Sequence, residues 1–396
     1  MLPFRSTVAV AALLIAAPTF AEAPEQDTIV VTAKSLKQTG ADLAACLARN
    51  CPPDEDVKAT LAHAENQFVA GGYKNARTTL LQSVSRNRKF GGQYPVPVSD
   101  LLRGNARVAA HLGEASDFQT STIASRDTLR KGVGPTDPRT LVGDIEVADM
   151  RAKLGYPVEA ERMYKSVGER AAALKLPWIV SATVIRQALL KLESDLPFEQ
   201  KEGRDQLARF AQGTDPAQRG ARLVAKVLLA RTDRKTGGET ETKALLAEYA
   251  ALGGTKMPTL ISADAIKQPE TPRGDASEGR TATTMLATKN FEGQWFDIGF
   301  WVTPDGRVSE IEVIRKSGAD NSLVKPVIDS IKTRIYAPLK REPGDPGVYS
   351  VERYTLTSFW VDDNTGTRVR MRSPVPRIER MDLTPDQIAD TSKVSG

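Results

Sequence analysis

The amino-acid sequence predicts a multidomain α+β protein, in which an all-α helical solenoid is followed by a small α+β domain of β-β-α-β order. Breaks in the helical pattern recur every 42 residues between positions 70 and 238, which indicates a repeat architecture. The region 257–280 is rich in proline, glycine and charge, which is typical of a linker. Beyond it, apolar residues alternate with period two on both sides of one helical segment.

The first residues have the pattern of a secretory signal peptide. Arg5 supplies the positive charge, residues 8–17 form a short apolar run, and Ala21-Glu22-Ala23 is a small-residue cleavage site, with Thr19-Phe20-Ala21 as the alternative. The apolar run is shorter than the roughly 20 residues that span a bilayer. We therefore expect a cleaved signal over 1–23 and a mature chain without a transmembrane helix, exported to an envelope or extracellular space.

The chain has two cysteines, Cys46 and Cys51. Because an exported protein meets an oxidising environment, we expect a disulfide between them. The alternatives are a redox pair or a metal site. A redox motif places two residues between its cysteines, and a metal site needs more ligands than two distant histidines add. We therefore predict no metal site.

Charge and motifs limit the class of function. The formal net charge is +5, and the basic residues are spread along the chain. In an exported protein this pattern does not favour nucleic-acid binding. His63 and His111 lie in helical patterns with no nucleophile motif beside them, so we expect them at the surface or in a groove. The sequence predicts no catalytic residue, no cofactor and no enzyme activity.

The helical region is expected over 41–256. Its break points are Ala70-Gly71, Leu112-Gly113, Leu154-Gly155, Leu196-Pro197 and Gly238. In the clearest repeat, Gly155 ends one helix, Ala160 lets the next helix approach and Tyr164 fills the gap between them. This pattern resembles the tetratricopeptide family in a 42-residue form, best over 64–80 and 148–164. Paired helices that cannot bury their apolar faces alone stack into a solenoid with a concave surface. A plain helical bundle is the alternative.

The C-terminal domain is expected over 281–364. Its first strand has one apolar face, formed by Phe296, Ile298, Phe300 and Val302. Pro304-Asp305-Gly306 is a turn, because proline presets φ and glycine accepts a positive φ. The second strand carries Val308, Ile311 and Val313, a helix face carries Leu323, Val327 and Ile331, and the last strand covers about 349–361.

Three motifs in this domain carry a family resemblance. Asp305-Gly306-Arg307-Val308, Ser317-Gly318 and Tyr336-Ala337-Pro338 follow the order strand, strand, helix, strand. The stretch of about 290–361 thereby resembles the C-terminal domain of the TonB family. The resemblance implies a periplasmic protein that serves outer-membrane receptors. The chain departs from the family pattern in lacking a Tyr-Pro before the first strand and in having Arg334 where a tryptophan is common.

A second motif belongs to the same system. Within a segment expected to be extended over 24–40 lie Asp27, Thr28, Ile29, Val30, Val31, Thr32 and Ala33. This run resembles a TonB box, the short segment at the mature N-terminus of TonB-dependent receptors. Its β-branched residues favour an extended strand that can add to a sheet edge. An ordinary first strand or a valine-rich tail is the alternative reading.

The expected docking edge is the last strand of the C-terminal domain. Its apolar face carries Tyr354, Leu356, Ser358 and Trp360. In the TonB family the box pairs beside the last strand, and the resemblance implies the same here. The tail over 365–396 is polar and basic with three prolines, so we expect it to be extended with little core.

The sequence therefore favours a non-enzymatic periplasmic adaptor linked to TonB-dependent outer-membrane transport. Its partner is expected to be an envelope protein or an extended peptide, either a TonB-dependent receptor or the chain itself, bound by strand addition and by the helical groove. The alternative is a membrane-anchored energy transducer of the TonB type with an uncleaved N-terminal helix.

Overall fold

The structure is a computed structural model that describes residues 34–234, 239–266, 293–319, 321–362 and 370–384. The predicted signal peptide and the TonB-box-like motif at 27–33 lie outside the described residues. Of the helices that are described, none is both long enough and apolar enough to cross a bilayer.

The first part of the described chain is helical. Its helices are α1 (Leu36–Ala48), α2 (Pro53–Val69), α3 (Tyr73–Asn87), α4 (Pro95–Leu112), α5 (Ala115–Gly132), α6 (Pro138–Lys153), α7 (Pro157–Ala173), α8 (Pro177–Leu192), α9 (Pro197–Ala211), α10 (Arg219–Arg234) and α11 (Glu239–Ala251). The start of α1 corrects the expected extended segment over 24–40. Ser35 and Gln38 form a reciprocal capping box, so the helix begins at Leu36.

Four of the five predicted break points fall in the turns within the helix pairs α2–α3, α4–α5, α6–α7 and α8–α9, and the fifth, Gly238, lies outside the described residues. Gly71, Gly113 and Gly155 stand in three of these turns with φ of 84°, 75° and 81°, a conformation that favours glycine. Each helix from α1 to α11 packs on the next, and α2 also packs on α4, α6 on α8 and α8 on α10. This stacking of successive pairs is that of a helical repeat, as predicted, rather than of a plain bundle.

The repeat at 148–164 packs as its sequence predicts. Ala148 and Ala160 are fully buried, so α6 and α7 approach closely. Tyr164 is buried between them, and its hydroxyl donates a hydrogen bond to Asp149 Oδ1 at 2.6 Å. The apolar cluster continues into α8 through Ile179. Small and large side chains therefore alternate across the helix pair, which fills the interior without voids.

Cys46 and Cys51 form a disulfide, as predicted, with their Cα atoms 5.2 Å apart. Cys46 is buried near the end of α1, and Cys51 N donates to Cys46 O at 3.1 Å. The bond joins the end of α1 to the start of α2, which Pro53 begins. It therefore fixes the angle between the first two helices.

We expect the double substitution Cys46→Ser and Cys51→Ser to leave a folded protein that loses at most about 1–2 kcal/mol. The closed loop is short, so the disulfide restricts the unfolded chain little. Urea denaturation of this variant and of the parent chain measures the difference. Thiol alkylation of the exported parent before and after reduction is the control. Free thiols before reduction, or a loss well above that range, would contradict the prediction.

The C-terminal part of the described chain forms two sheets and a helix. Its elements are β1 (Leu260–Ser262), β2 (Trp295–Val302), β3 (Val308–Ser317), α12 (Asn321–Lys332), β4 (Ile335–Tyr336), β5 (Val348–Asp362) and β6 (Arg370–Asp382). The main sheet is antiparallel with strand order β3-β2-β5-β6, and β1 pairs with β4. The predicted order of strand, turn, strand, helix and strand is confirmed. Phe296, Ile298, Phe300 and Val302 pack against Val327 and Ile331 of α12 in one cluster.

The structure corrects the predicted docking edge. β5 lies inside the main sheet, and β6 pairs along it from Glu352↔Asp382 to Asp362↔Arg370. The tail expected over 365–396 therefore contributes a strand over its described part. The sheet accommodates the prolines of β6 for two reasons. β6 is an outer strand of the described sheet, and the register between β5 and β6 shifts near Pro374, between the pairing positions of Ser358 and Trp360.

The expected linker over 257–280 also needs correction where it is described. Residues 260–262 form β1, which pairs with β4 of the C-terminal domain. Ile261 is fully buried in a cluster with Val227 and Ala230 of α10 and Tyr249 of α11. The start of the expected linker therefore joins the last helices to the C-terminal domain through shared core. Residues 267–280 lie outside the described part.

Candidate functional site between the helices and the sheet

The main sheet is anchored to the C-terminal end of α2. Arg353 Nη1 donates to Phe68 O at 3.2 Å, and Arg315 Nη2 donates to Val69 O at 3.4 Å. The last turn of α2 has no basic residue of its own. The two guanidiniums supply the positive charge that a helix C-terminus favours, and they donate to its last carbonyls. Phe68 O also accepts from Gly71 N at 2.9 Å.

A buried ion pair fixes these guanidiniums. The side chains of Arg353 and Asp297 are 0% and 1% exposed, with contacts of 2.7 Å from Nε to Oδ1 and 2.9 Å from Nη2 to Oδ2. Arg315 Nε donates to the same carboxylate at 2.5 Å. Arg353 also lies 3.8 Å above the Trp295 ring, and a Cβ atom on Gly71 would be 2.6 Å from the indole Nε1. The sheet is therefore in direct contact with the α2–α3 helix pair.

β5 and β6 extend the contact towards later repeats. The Thr357 hydroxyl donates to His111 O, at the end of α4, at 3.1 Å. From β6, the Glu379 carboxylate lies 3.4 Å from His111 Nδ1 and 3.6 Å from Lys153 Nζ of α6. The C-terminal strand thus lies across one side of the helical repeats.

These contacts enclose a central cavity of ≈ 990 Å³. Its helical wall comes mainly from α2 and α4, with single residues from α3, α5, α6 and α10. The other wall comes mainly from β5, β6 and the residues just after β6, with single residues of β1 and β4. The lining includes Leu61, Phe68, Arg107, His111, Glu352 and residues 379–384, and it combines apolar side chains with eight charged ones. The volume is in the range of ligand sites in proteins.

Two polar groups on one face of α4 have no partner among the described residues. The exposed Arg107 side chain makes no hydrogen bond or ion pair there, and the buried His111 ring, whose Nδ1 faces Glu379, leaves its Nε2 without one. The His111 ring is held between Phe68 and Tyr73, with centroid distances of 4.8 Å and 4.4 Å. The Tyr73 hydroxyl is 3.2 Å from Thr355 Oγ1, and burial raises its pKa. Because a buried unpaired nitrogen is costly, this wall is suited to a ligand whose polar group hydrogen-bonds His111 Nε2.

Arg334 is the centre of a buried polar network in the C-terminal domain. Its buried guanidinium makes a bidentate pair with Glu352, with both distances 2.9 Å, and donates to the Tyr354 hydroxyl at 2.8 Å. Tyr354 also donates to Glu352. Burial, followed by the negative charge of Glu352, raises the pKa of Tyr354. The arginine therefore forms a buried polar network inside the domain, although its Nε has no hydrogen-bond partner among the described residues. The Glu352 carboxylate of this network also borders the central cavity.

The predicted site residues do not form the exposed face that the sequence suggested. Tyr354 and Leu356 are buried, and Tyr354 stacks on Phe296 at 5.4 Å. The backbones of Ser358 and Trp360 pair with β6. His63 lies on α2 with Thr39 Oγ1 and Gln67 Nε2 each 3.1 Å from its ring nitrogens, and burial lowers its pKa. His111 is the predicted groove residue that the structure places in the cavity, while sequence reasoning missed Arg107, which lies four positions before it.

Neither outer strand of the described sheet has a regular edge. The register of β3 against β2 shifts twice, and Glu310 has φ of 49°. β6 contains Pro374 and Pro376, which lack the N–H that strand pairing needs. Bulges and prolines are features that limit edge pairing in proteins.

The helical part is similar to solved TPR-like repeat structures. A Podosopora anserina kinesin light chain protein with nearly identical TPR-like repeats has 18% identity, covers 50% of this chain and 95% of its own, and has a TM-score of 0.39. A second structure of such a protein has 18% identity, coverages of 51% and 96%, and a TM-score of 0.38. No protein-family model matches the chain, and no curated protein matches it.

Proposed function

We propose that this protein is a non-enzymatic adaptor of the bacterial cell envelope, which holds an extended, carboxylate-bearing segment of a partner protein in its central cavity. The observation that carries the proposal is the pair of unpartnered groups on α4, Arg107 and the buried His111 Nε2. A carboxylate accepts a charge-assisted hydrogen bond from Arg107, and it accepts one from His111 Nε2 when that nitrogen carries a proton. The apolar residues beside them, such as Leu61 and Phe68, suit the side chains of an extended peptide.

The cellular setting of the proposal comes from the sequence motifs. A signal-like N-terminus supports the periplasm, and the TonB-like motifs of the C-terminal domain support a role in TonB-dependent outer-membrane transport. The order β2, β3, α12, β5 is consistent with that resemblance. Because β6 occupies the side of β5 where the TonB-box-like strand was expected, we assign recognition to the cavity rather than to strand addition on β5.

The segment at 27–33 is the natural test ligand. A peptide copying residues 25–34 carries Glu25 and Asp27 beside a β-branched run. We expect the exported protein to bind it modestly, because an extended peptide loses chain entropy on binding. Arg107→Gln should weaken binding about tenfold or more through loss of a charge-assisted hydrogen bond. Fluorescence anisotropy with a labelled peptide measures both affinities, and NMR shifts should concentrate at residues lining the cavity.

Two controls make this experiment decisive. Arg88→Gln removes one exposed, unpaired arginine outside the cavity lining, so it should leave the affinity unchanged. A peptide with Glu25→Gln and Asp27→Asn should bind the parent protein more weakly, since it retains the β-branched run without its carboxylates. If Arg107→Gln and Arg88→Gln weaken the affinity for the peptide equally, the effect comes from the net charge of the protein and not from the cavity. Absence of binding at millimolar peptide would remove the segment at 27–33 as a ligand of this cavity.

A further inference from the structure

A second cavity, of ≈ 660 Å³, lies between α5 and α7 and over α6. It shares no lining residue with the central cavity. Its distinguishing feature is a set of five arginines from three helices, which we call the arginine pocket. These are Arg126, Arg130, Arg151, Arg162 and Arg170.

Helical spacing brings the guanidiniums together. Arg126 and Arg130 are four residues apart on α5, so they share one face of that helix. Arg162 and Arg170 are two turns apart on α7, with Ser166 between them on the same face. α6 closes the floor with Asp144 and contributes Arg151 at one end. Arg130 and Arg162 are exposed at the edge of the pocket, and Arg126, Arg151 and Arg170 are half-buried within it.

The carboxylates of the pocket do not balance this charge. Asp144 is buried and pairs with two arginines, Arg126 at 2.7 Å and Arg170 at 2.6 Å. Glu159 lies 3.6 Å from Arg151. Five arginines therefore face two carboxylates among the lining residues, and a third carboxylate, Asp127, pairs with Arg126 from outside the lining. The lining has an excess of three positive charges.

Donors in the pocket are left unused. Arg130 and Arg162 have no carboxylate within ion-pair distance in the described part of the chain. Arg170 Nε is buried and has no hydrogen-bond partner among the described residues. Asp144 accepts one hydrogen bond from Arg126 and one from Arg170, which holds both guanidiniums in place. The N–H groups that these bonds do not use remain available to a ligand. Buried donors without partners are uncommon in folded proteins because each costs free energy.

We propose that the arginine pocket binds a phosphate-bearing ligand, with Arg130, Arg162 and Arg170 as its direct donors. The planar guanidinium donates two parallel hydrogen bonds to phosphate oxygens, which makes arginine well suited to this anion. Asp144 is the positioning residue, because it holds two of the guanidiniums without contacting the ligand. The cavity has room for a group larger than a single phosphate, such as a diphosphate or a phosphorylated headgroup.

The test measures inorganic pyrophosphate binding to the full exported chain by isothermal titration calorimetry. We expect saturable binding to the parent protein and an affinity at least about tenfold weaker for the double variant Arg130→Gln and Arg162→Gln. The matched control is Lys131→Gln and Lys165→Gln, which removes two exposed charges from the same two helices without touching the lining. The control should bind like the parent. Circular dichroism verifies that all three proteins are folded.

Two experiments distinguish a free phosphate ligand from the phosphate of a lipid headgroup. Flotation with vesicles containing phosphatidic acid, compared with phosphatidylcholine alone, tests a lipid headgroup. The proposal is supported if the arginine double variant loses binding and the lysine double variant keeps it. Binding of pyrophosphate then indicates a free phosphate ligand, and binding of phosphatidic acid vesicles indicates a lipid headgroup. Equal weakening in both double variants would show diffuse attraction by net charge and overturn the proposal. Absence of binding in both experiments would overturn it as well.

Discussion

Asp297→Asn is expected to lower the free energy of unfolding by about 3–5 kcal/mol, since it leaves the guanidinium of Arg353 buried without a counter-charge. Arg353 is fully buried, and its two contacts to Asp297 are charge-assisted hydrogen bonds of 2.7 and 2.9 Å. The amide that replaces the carboxylate keeps the shape but loses the charge. Urea denaturation followed by tryptophan fluorescence measures the loss, and Trp295 under Arg353 reports on the contact itself.

Arg315→Gln is the matched control for this prediction. Arg315 shares the Asp297 carboxylate, but its side chain is 43% exposed. Water screens such a charge, so its removal should cost less than about 1 kcal/mol. If Asp297→Asn and Arg315→Gln lower the free energy of unfolding by similar amounts, the prediction is contradicted. Burial of the Arg353–Asp297 pair would then not determine how the sheet is anchored to α2.

Gly306→Ala is expected to destabilise the protein by about 2–5 kcal/mol. Gly306 has φ of 81°, which costs an L-residue about 1–2 kcal/mol. A Cβ atom would also stand 2.2 Å from Tyr336 O, and overpacking against rigid structure adds about 1–3 kcal/mol. The turn is held close to β4 because Tyr336 N donates to Gly306 O at 2.8 Å. Chemical denaturation gives the total.

Gly344→Ala separates the two contributions. Gly344 has φ of 88°, but a Cβ atom there would meet nothing within 4 Å. This variant should therefore show the conformational cost alone, about 1–2 kcal/mol. The difference between the two alanine variants measures the close approach of the turn to β4. Equal losses would mean that the backbone at Tyr336 moves away freely.

The recognition that we propose for the central cavity depends on groups that local sequence patterns cannot assign. The sequence places Arg107 and His111 on one helix face, since they are four residues apart. It contains no sign that His111 is buried under β6 while Arg107 has no partner in the described part of the chain. The arginine pocket is similar, because its residues lie on three helices whose packing brings them together. In both sites the sequence shows which residues share one face of a helix. It does not show that side chains from different elements line the same cavity.

The sequence by itself determined the features that depend on neighbouring residues. The 42-residue spacing and the turn glycines identified the helix pairs, period-two alternation identified β2, and Pro304-Asp305-Gly306 identified the turn after it. The expected export to an oxidising compartment, with two cysteines close in sequence, predicted the disulfide between Cys46 and Cys51. These signals are local, because backbone conformation and side-chain periodicity act over a few residues.

Only the tertiary structure decided how the parts meet. Arg353 donates to Phe68 O across 285 positions of sequence, and β6 pairs with β5 although its prolines suggested a tail without core. The strand at 260–262 joined the C-terminal domain although it lies in a segment whose composition is that of a linker. Such contacts form because distant polar and apolar groups satisfy each other when the chain closes. Composition and periodicity describe single segments of the chain. They therefore do not show which distant segment contacts a given residue.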